Sequence, residues 1–454
     1  MLDECKLNDL LSMPEGYHVT DALFLTYSMS LKSLDQLLIQ CGITDTYNKS
    51  AETLMELPNH VVCVMKKGGA IYDFEEYESN YANLLNHKNY CRILKVKGNT
   101  FHPKLYAFLY ENNDNNAYKK LRIIISSRNI TSSNYYEGAI CIDGEPSNEI
   151  VEYNTELVCL LNTVTQNKCE KIIECLKKTD FSECLKKIVG DDQAKYRFIT
   201  TISSSDLNKK KKIEMPFAKD KRVRVISPFL GDWDFIKECC VSEDYRIITR
   251  EQVNSTSLPK DKNEKENVLA HMKCIKTLCV KEEEYVIPLH AKIYAFSSKN
   301  EDRKMSQLYL GSANYSQNGF QNNYELMIEI ISSKVDFVKI LDNAVEGKLI
   351  PCIESMESTE FTANFEDFEE NEMPINNIIN NILKNVEEEE LGKLGVYLFN
   401  CSFEGKYFIE EFVSRCVNMD IDDMQKILDK ARYYKNNIPH QDIIESYLDE
   451  IIGK

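Results

Sequence analysis

The chain has a single Trp and only seven His, and no apolar run approaches membrane-spanning length. The last absence argues against a transmembrane helix, which needs about 20 such residues in succession. The N-terminal stretch MLDECKLNDLL carries acids where a secretory signal would place basic residues and then an apolar block. A cytosolic, cytoplasmic protein is expected. Sixteen Cys are present, yet there is no C-x-x-C and no Cys/His group at zinc spacing. They read as small buried apolar residues in a reducing compartment. No metal and no other cofactor is expected.

With 454 residues the chain exceeds one ordinary core and suggests two or three domains, or one duplicated domain. Its net charge of −17 is unevenly spread: residues 351–454 hold −14 and the first 350 residues only −3. Strong global acidity would argue against nucleic-acid binding, whereas a near-neutral body with local basic patches does not.

Two phrases nearly repeat: FHPKLYAF at 101–108 and LHAKIYAF at 289–296. The order of elements around them repeats as well. In the first half, DALFLT reads as a strand, and Leu31, Leu34, Leu37, Leu38 and Cys41 follow at helical spacing. HVVCVMKK and CRILKVKG read as strands, followed by HPKLYAFLY, a polar loop and the strand LRIIIS. In the second half, KRVRVI, a turn and a helix precede the strand DYRIIT, then PLHAKIYAF, a polar loop and LYLG. The pattern reads as a duplication. KNEKEN, 262–267, is expected in a solvated insertion. Ile375, Ile378, Ile379, Ile382, Leu383 and Val386 form a helical stripe, so 351–454 is expected to be an acidic helical appendage.

On a strand, alternation places His102, Lys104, Tyr106 and Phe108 on one face, and likewise His290, Lys292, Tyr294 and Phe296. After each hairpin comes Ser-x-Asn: Ser127 and Asn129, then Ser312 and Asn314. NYYE then supplies Asn134 and Glu137, and NNYE supplies Asn323 and Glu325. His271 with Lys273 is another H-x-K, but no Ser-x-Asn follows it, and it is assigned to packing. Two imidazoles suit phosphodiester chemistry: one, neutral, attacks phosphorus and the other, protonated, gives its proton to the leaving oxygen. Lys104 and Lys292 would neutralise phosphate charge, the amides of Asn129 and Asn314 would donate to its oxygens, and Ser127 and Ser312 would support that cradle. Glu137 and Glu325 are suited to hold each imidazole through its second nitrogen. On this reading the cations stand where a metal could, and no divalent ion is required.

The doubled H-x-K…S-x-N pattern resembles the phospholipase D superfamily. The resemblance implies a duplicated α/β fold, an α-β-α sandwich with pseudo-twofold symmetry, divided into halves at 1–200 and 201–350 with the appendage at 351–454. It also implies one nucleophilic His, read here as His102, and a covalent phosphohistidine intermediate, with His290 as acid and then base. Lipid-cleaving members usually carry an Asp five positions after the motif Lys, where this chain has Leu109 and Ser297. In this it is similar to the tyrosyl-DNA phosphodiesterase branch and to bacterial nuclease-like members.

The densest basic run, NKKKKIEMPFAKDKRVRV at 208–225, offers Lys209, Lys210, Lys211, Lys212, Arg222 and Arg224 to a nucleic-acid backbone, or else forms a solvated interdomain loop. Arg128 could grip a second phosphate. The expectation is a nuclease; the alternatives are a phospholipid phosphodiesterase or phosphatidyltransferase and an inactive phosphate-binding protein. Asn, Lys and Ile richness suggests an AT-rich bacterial genome, and stand-alone bacterial members resemble restriction or phage-defence effectors. The acidic C-terminal region is expected to dock a protein partner, to solubilise the fold or to cover the basic channel.

Overall fold

The computed structural model describes residues 10–43, 61–66, 71–72, 92–96, 101–115, 118–131, 137–165, 168–202, 210–239, 241–250, 255–275, 278–280, 283–285, 289–300, 305–346 and 353–355. The first half contains β1 (Tyr17–Thr26), β2 (Met29–Ser30), helix α1 (Leu31–Gln40), β3 (Val61–Lys66), β4 (Ile71–Tyr72), β5 (Arg92–Val96), β6 (Leu105–Asn112), β7 (Lys119–Ser126) and β8 (Ala139–Gly144). Three helices follow, α2 (Thr155–Thr165), α3 (Glu170–Lys177) and α4 (Ser182–Val189). The second half runs β9 (Lys195–Thr200), β10 (Lys221–Ile226), α5 (Trp233–Cys239), β11 (Asp244–Arg250), α6 (Lys262–Ala270) and β12 (Met272–Ile275). It continues through β13 (Leu278–Val280), β14 (Glu283–Tyr285), β15 (Ile293–Ser298), β16 (Ser306–Gly311), β17 (Leu326–Ser332), α7 (Phe337–Glu346) and β18 (Ile353–Ser355).

The two principal sheets share one design. The first has the order β5-β3-β1-β6-β7-β8; the second contains β12-β11-β10-β15-β16-β17, extended by β18 at one edge and β9 at the other. In each, three parallel strands meet an antiparallel meander at the same join, β1 with β6 and β10 with β15. Registers match too: Phe24 faces Tyr106 as Val225 faces Tyr294, and Leu105 faces Ile125 as Ile293 faces Leu310. The duplication therefore reaches residue-level pairing. β9 joins the second sheet through β17, so the last strand before position 201 serves the second half.

Period-two alternation sorts each sheet between two cores. Leu105, Ala107, Leu109, Ile123 and Ile125 enter a central core with Ile293, Ala295, Leu310 and Ile328 of the other sheet and Leu157 and Leu161 of α2. Tyr106, Phe108 and Tyr110 face the other way, onto Leu34, Leu37 and Leu38 of α1. Tyr294 and Phe296 likewise meet Phe235 and Ile236 of α5 and Val268 of α6. The result is a mixed α/β fold in which both sheets are covered on both faces. This is why β6 is buried from Leu105 through Tyr110 and reads as an unbroken apolar run. Each large apolar side chain buried there contributes about 1.5–3 kcal/mol.

One expectation is corrected. The strands of the repeated phrases begin at Leu105 and Ile293, so the His and Lys of each phrase lie in the extended segment before the strand. Residues 262–267 are mostly exposed, as expected of a solvated segment, and belong to a helix, α6, whose first turn is capped by Asp261 accepting the Glu264 N–H at 2.9 Å. The helical appendage expected over 351–454 lies outside the described residues except for 353–355, which pair with β12.

Candidate active site

The extended segments before β6 and β15 bring both H-x-K phrases to the sheet ends where β7 and β16 run out into Ser-x-Asn. Antiparallel pairing does this: a strand that starts at Leu105 must lie beside one that ends near Ile125. His102, Lys104, His290 and Lys292 are all buried, at 4%, 0%, 2% and 0% exposure, as are Ser127, Ser312, Asn129 and Glu325. Buried charge at this density requires partners.

Those partners cross between the halves. His102 Nδ1 lies 3.0 Å from both carboxylate oxygens of Glu325, and His290 Nδ1 lies 2.9 Å from both of Glu137. Each half thus supplies the carboxylate that orients the other half's imidazole. The backbone reinforces one crossing: the His102 N–H donates to the Tyr324 carbonyl at 3.0 Å, and Phe101 bridges Tyr324 in parallel fashion. With Nδ1–H directed to a carboxylate, each ring keeps Nε2 as the nitrogen not held by a carboxylate.

Serine hydroxyls hold the carboxylates in turn. Ser127 Oγ donates to Glu137 and accepts the Gly138 N–H at 2.9 Å; Ser312 Oγ donates to Glu325 and accepts the Leu326 N–H at 3.0 Å. Both hydroxyl protons serve a carboxylate, so the cradle role expected of these serines gives way to fixing Glu137 and Glu325. Thr201, which the sequence did not single out, accepts the Glu325 N–H at 3.0 Å. Burial alone would raise both carboxyls. The facing imidazole, the nearby Lys (Lys292 for Glu137, Lys104 for Glu325) and the serine hydroxyl outweigh it and hold each below its ordinary value.

The ammonium groups curl back on their own phrases. Lys104 Nζ donates to the His102 carbonyl at 3.1 Å, and Lys292 Nζ to the His290 carbonyl at 2.8 Å. Lys292 Nζ also lies 2.9 Å from His290 Nε2, so the two nitrogens share one proton position. The Asn129 Oδ1 accepts the Tyr27 N–H at 3.2 Å, while the Asn314 Oδ1 is buried without a hydrogen-bond partner among the described residues. Arg128 donates to the Thr131 carbonyl at 2.9 Å and is half-buried beside Asn129. Asn134 lies outside the described residues.

The basic run divides. Arg224 is buried and paired with Asp342 at 2.7 and 2.9 Å and with Asp244 at 2.8 Å; Arg222 pairs with Asp336. These two arginines tie β10 to α7 and the segment before it, a packing role in place of the expected contact with nucleic acid. Lys211 pairs with Glu156 of α2, Lys212 is exposed, and Lys209 lies outside the described residues. Lys210 reaches the site's edge. Its ammonium donates to the Asn322 carbonyl and lies 4.2 Å from the ring centre of Tyr324, the residue that holds His102. Burial pushes its pKa down to about 8 against the opposing pull of Glu325. On the other side, Arg250 Nε donates to the carbonyl of Leu289, next to His290, at 2.8 Å, and the guanidinium lies 4.5 Å from the Phe229 ring centre. His271 stacks on Tyr245 at 4.4 Å and bonds its carbonyl at 3.1 Å, as a packed histidine does.

Residues 199–347 match the family model described as cardiolipin synthase, PLD-like domain. That span is a phospholipase D-like domain. The shared strand order and register carry the same architecture into the N-terminal half. Among solved structures, the chain is similar to the yeast tyrosyl-DNA phosphodiesterase (13% identity, 73% of this chain and 88% of that one, TM-score 0.44). It is similar to phosphatidylserine synthase of Haemophilus influenzae Rd KW20 (8% identity, 85% and 92%, TM-score 0.42). NucT from Helicobacter pylori matches over 29% of this chain and 80% of its own (19% identity, TM-score 0.20). No curated protein matches the chain.

Tyr27, Pro228, Thr201, Arg250 and Tyr324 border the phospholipase D-like site without having been singled out from the sequence. Tyr27 and Pro228 could have been found by aligning the two halves, since each follows a hydroxyl residue at or just past the end of a parallel strand, Thr26 and Ser227.

Proposed function

We propose that this protein is a phosphodiesterase that cleaves nucleic acid without a metal, through a phosphohistidine on His102. The observation that supports the reading is the pair of crossed imidazole–carboxylate contacts, which engage Nδ1 of each ring and leave Nε2 for chemistry, with a buried ammonium group two residues from each histidine. The residues suffice for each step. Nε2 of His102 attacks phosphorus, the bond to the leaving oxygen breaks, and His290, sharing a proton with Lys292, delivers that proton to the leaving oxygen. The imidazole of His102 gains positive charge as it bonds to phosphorus, and Glu325 stabilises that charge. Water then attacks phosphorus as His290 takes its proton, the nitrogen–phosphorus bond breaks, and both histidines return to their starting states. Lys104 and Lys292 neutralise the non-bridging oxygens throughout, and the Asn129 amide donates to them.

Nucleic acid is favoured over lipid by the two cations at the site's borders, Lys210 on Tyr324 and Arg250 on Phe229, because a polyanion presents phosphates on both sides of the one being cut. Arg128 adds a third cation beside Asn129. The division into halves at 1–200 and 201–350 and an acidic partner-docking region at 351–454 belongs to the same proposal, with β9 counted to the second sheet. Incubating the wild type, His102→Ala and His290→Ala with labelled DNA, RNA and phospholipid vesicles in EDTA tests it. Cleavage of nucleic acid by the wild type alone is expected. Turnover confined to vesicles would replace the substrate class, and cleavage that returns only with Mg²⁺ would overturn the metal-free mechanism.

A further inference from the structure

The two halves match so closely that one difference stands out. At the end of β1, Thr26 Oγ1 donates to the Ser28 carbonyl at 2.6 Å and accepts the Ile130 N–H at 3.1 Å. At the end of β10, Ser227 Oγ donates to the Phe229 carbonyl at 2.7 Å and accepts the Tyr315 N–H at 3.0 Å. Met29 bridges Ile130 and Leu230 bridges Tyr315, each in parallel sense and each three residues past its hydroxyl. The loops are therefore in the same register, and Tyr27 corresponds to Pro228.

Tyr27 donates its N–H to Asn129 Oδ1 at 3.2 Å, which holds that oxygen against the Tyr27 backbone. Proline has no N–H to give. The corresponding oxygen, Asn314 Oδ1, is accordingly buried without a hydrogen-bond partner among the described residues. The Asn314 backbone is not loose. A Cβ on Gly319 would come within 2.8 Å of the Asn314 nitrogen and closer still to its carbonyl oxygen, and that carbonyl accepts the Ser316 N–H at 2.8 Å. A buried acceptor without a donor gains by turning toward one.

Resting on the phosphodiesterase reading above, we infer that Asn314 is the residue that positions the hydrolytic water, turning its amide oxygen into the site to accept one hydrogen of that water while His290 takes the other. The water oxygen then bonds to phosphorus, the phosphorus–Nε2 bond of His102 breaks, the proton abstracted by His290 re-forms its acid state, and the second hydrogen leaves on the product phosphate. Asn129, locked as a donor, serves attack and leaving-group departure; Asn314 serves the water step. Pro228 keeps the two amides different.

The test restores the missing donor. Pro228→Ala places an N–H where Tyr27 has one and locks Asn314 as Asn129 is locked. Wild type and variant are mixed with bis(p-nitrophenyl) phosphate in EDTA, following first-turnover nitrophenolate and, after a denaturing non-acidic quench, the covalent adduct by mass. The variant is expected to release its first nitrophenolate within about twofold of wild type, while its adduct persists about tenfold longer or more, the scale of losing a positioned proton acceptor. The intact first step shows that the site has folded, and Pro228→Gly, which also supplies the N–H, is expected to behave alike. An adduct that decays at the wild-type rate in both variants overturns the role of Asn314 and leaves the phosphodiesterase reading standing. Absence of nitrophenolate release from the wild type sinks that reading and the inference with it.

Discussion

Glu325→Gln is the sharpest perturbation of the site, because it changes one atom type in a fully buried side chain. The carboxylate faces His102 Nδ1 at 3.0 Å, and in the proposed mechanism the imidazole becomes cationic as Nε2 bonds to phosphorus. Two unit charges at that distance attract by about 5 kcal/mol at an effective dielectric near 20. A glutamine oxygen still accepts the Nδ1–H and recovers about 1–2 kcal/mol. The remaining loss, about 3–4 kcal/mol, lowers the first chemical step about 10²–10³-fold. The assay is steady-state hydrolysis of bis(p-nitrophenyl) phosphate with thermal unfolding in parallel, and kcat is expected to fall with KM nearly unchanged. The same substitution has an acid signature. Glu325 is held below its ordinary value of 4.5, so its ionised form contributes stability above that pH and loses it as pH falls through the folded value. Wild-type stability should therefore drop more steeply than that of Glu325→Gln in this acid range. A variant within about threefold of wild type in kcat would refute the claim that Glu325 orients and stabilises His102.

Other outcomes follow from the same geometry. Glu137→Gln, which faces His290, should slow the water step more than the first and so accumulate covalent adduct, read by mass after a non-acidic quench. Lys210→Ala should weaken oligonucleotide binding and lower its salt slope by about 0.7–0.9, one phosphate contact. Because Lys210 titrates near pH 8, the difference between wild type and Lys210→Ala should shrink between pH 7 and 9, measured by fluorescence anisotropy. Arg224→Ala removes a buried guanidinium from Asp244 and from Asp342, which keeps Arg246 at 3.0 Å, and should cost about 1.5–3 kcal/mol in denaturant unfolding, an effect on stability rather than on substrate contact. His271→Ala should leave hydrolysis at the wild-type rate, since that ring stacks on Tyr245 on β11.

Much of the fold was legible because its signals are local. The β3 run VVCVMK, the stripe from Leu31 to Cys41 and the two Y-A-F strands each declare their element by period. The doubled phrase also marked two His and two Lys, which the structure buries at corresponding ends of the two sheets. What the sequence did not show was which carboxylate meets which imidazole. Glu137 is nearer in sequence to His102 than to His290, and only the packing of the two sheets on one central core swaps the partners. Arg222 and Arg224 misled for a related reason. Alternating basic residues on a strand look like an exposed stripe until the acids of α7 and its approach, Asp336 and Asp342, are folded onto them. The helix at 262–270 was hidden by its weak apolar face, with Val268 buried among charged neighbours.

The central claim is that His102 and His290, each oriented by the other half's glutamate, act on one phosphorus atom. Its most direct test is the mass of the His102 peptide after Glu137→Gln protein meets bis(p-nitrophenyl) phosphate in EDTA and is denatured without acid. A nitrophenyl-phosphoryl adduct on His102, absent when His102→Ala is added to the same protein, is the result this account predicts. Nitrophenolate release with no histidine adduct, or with the adduct on another side chain, would contradict it.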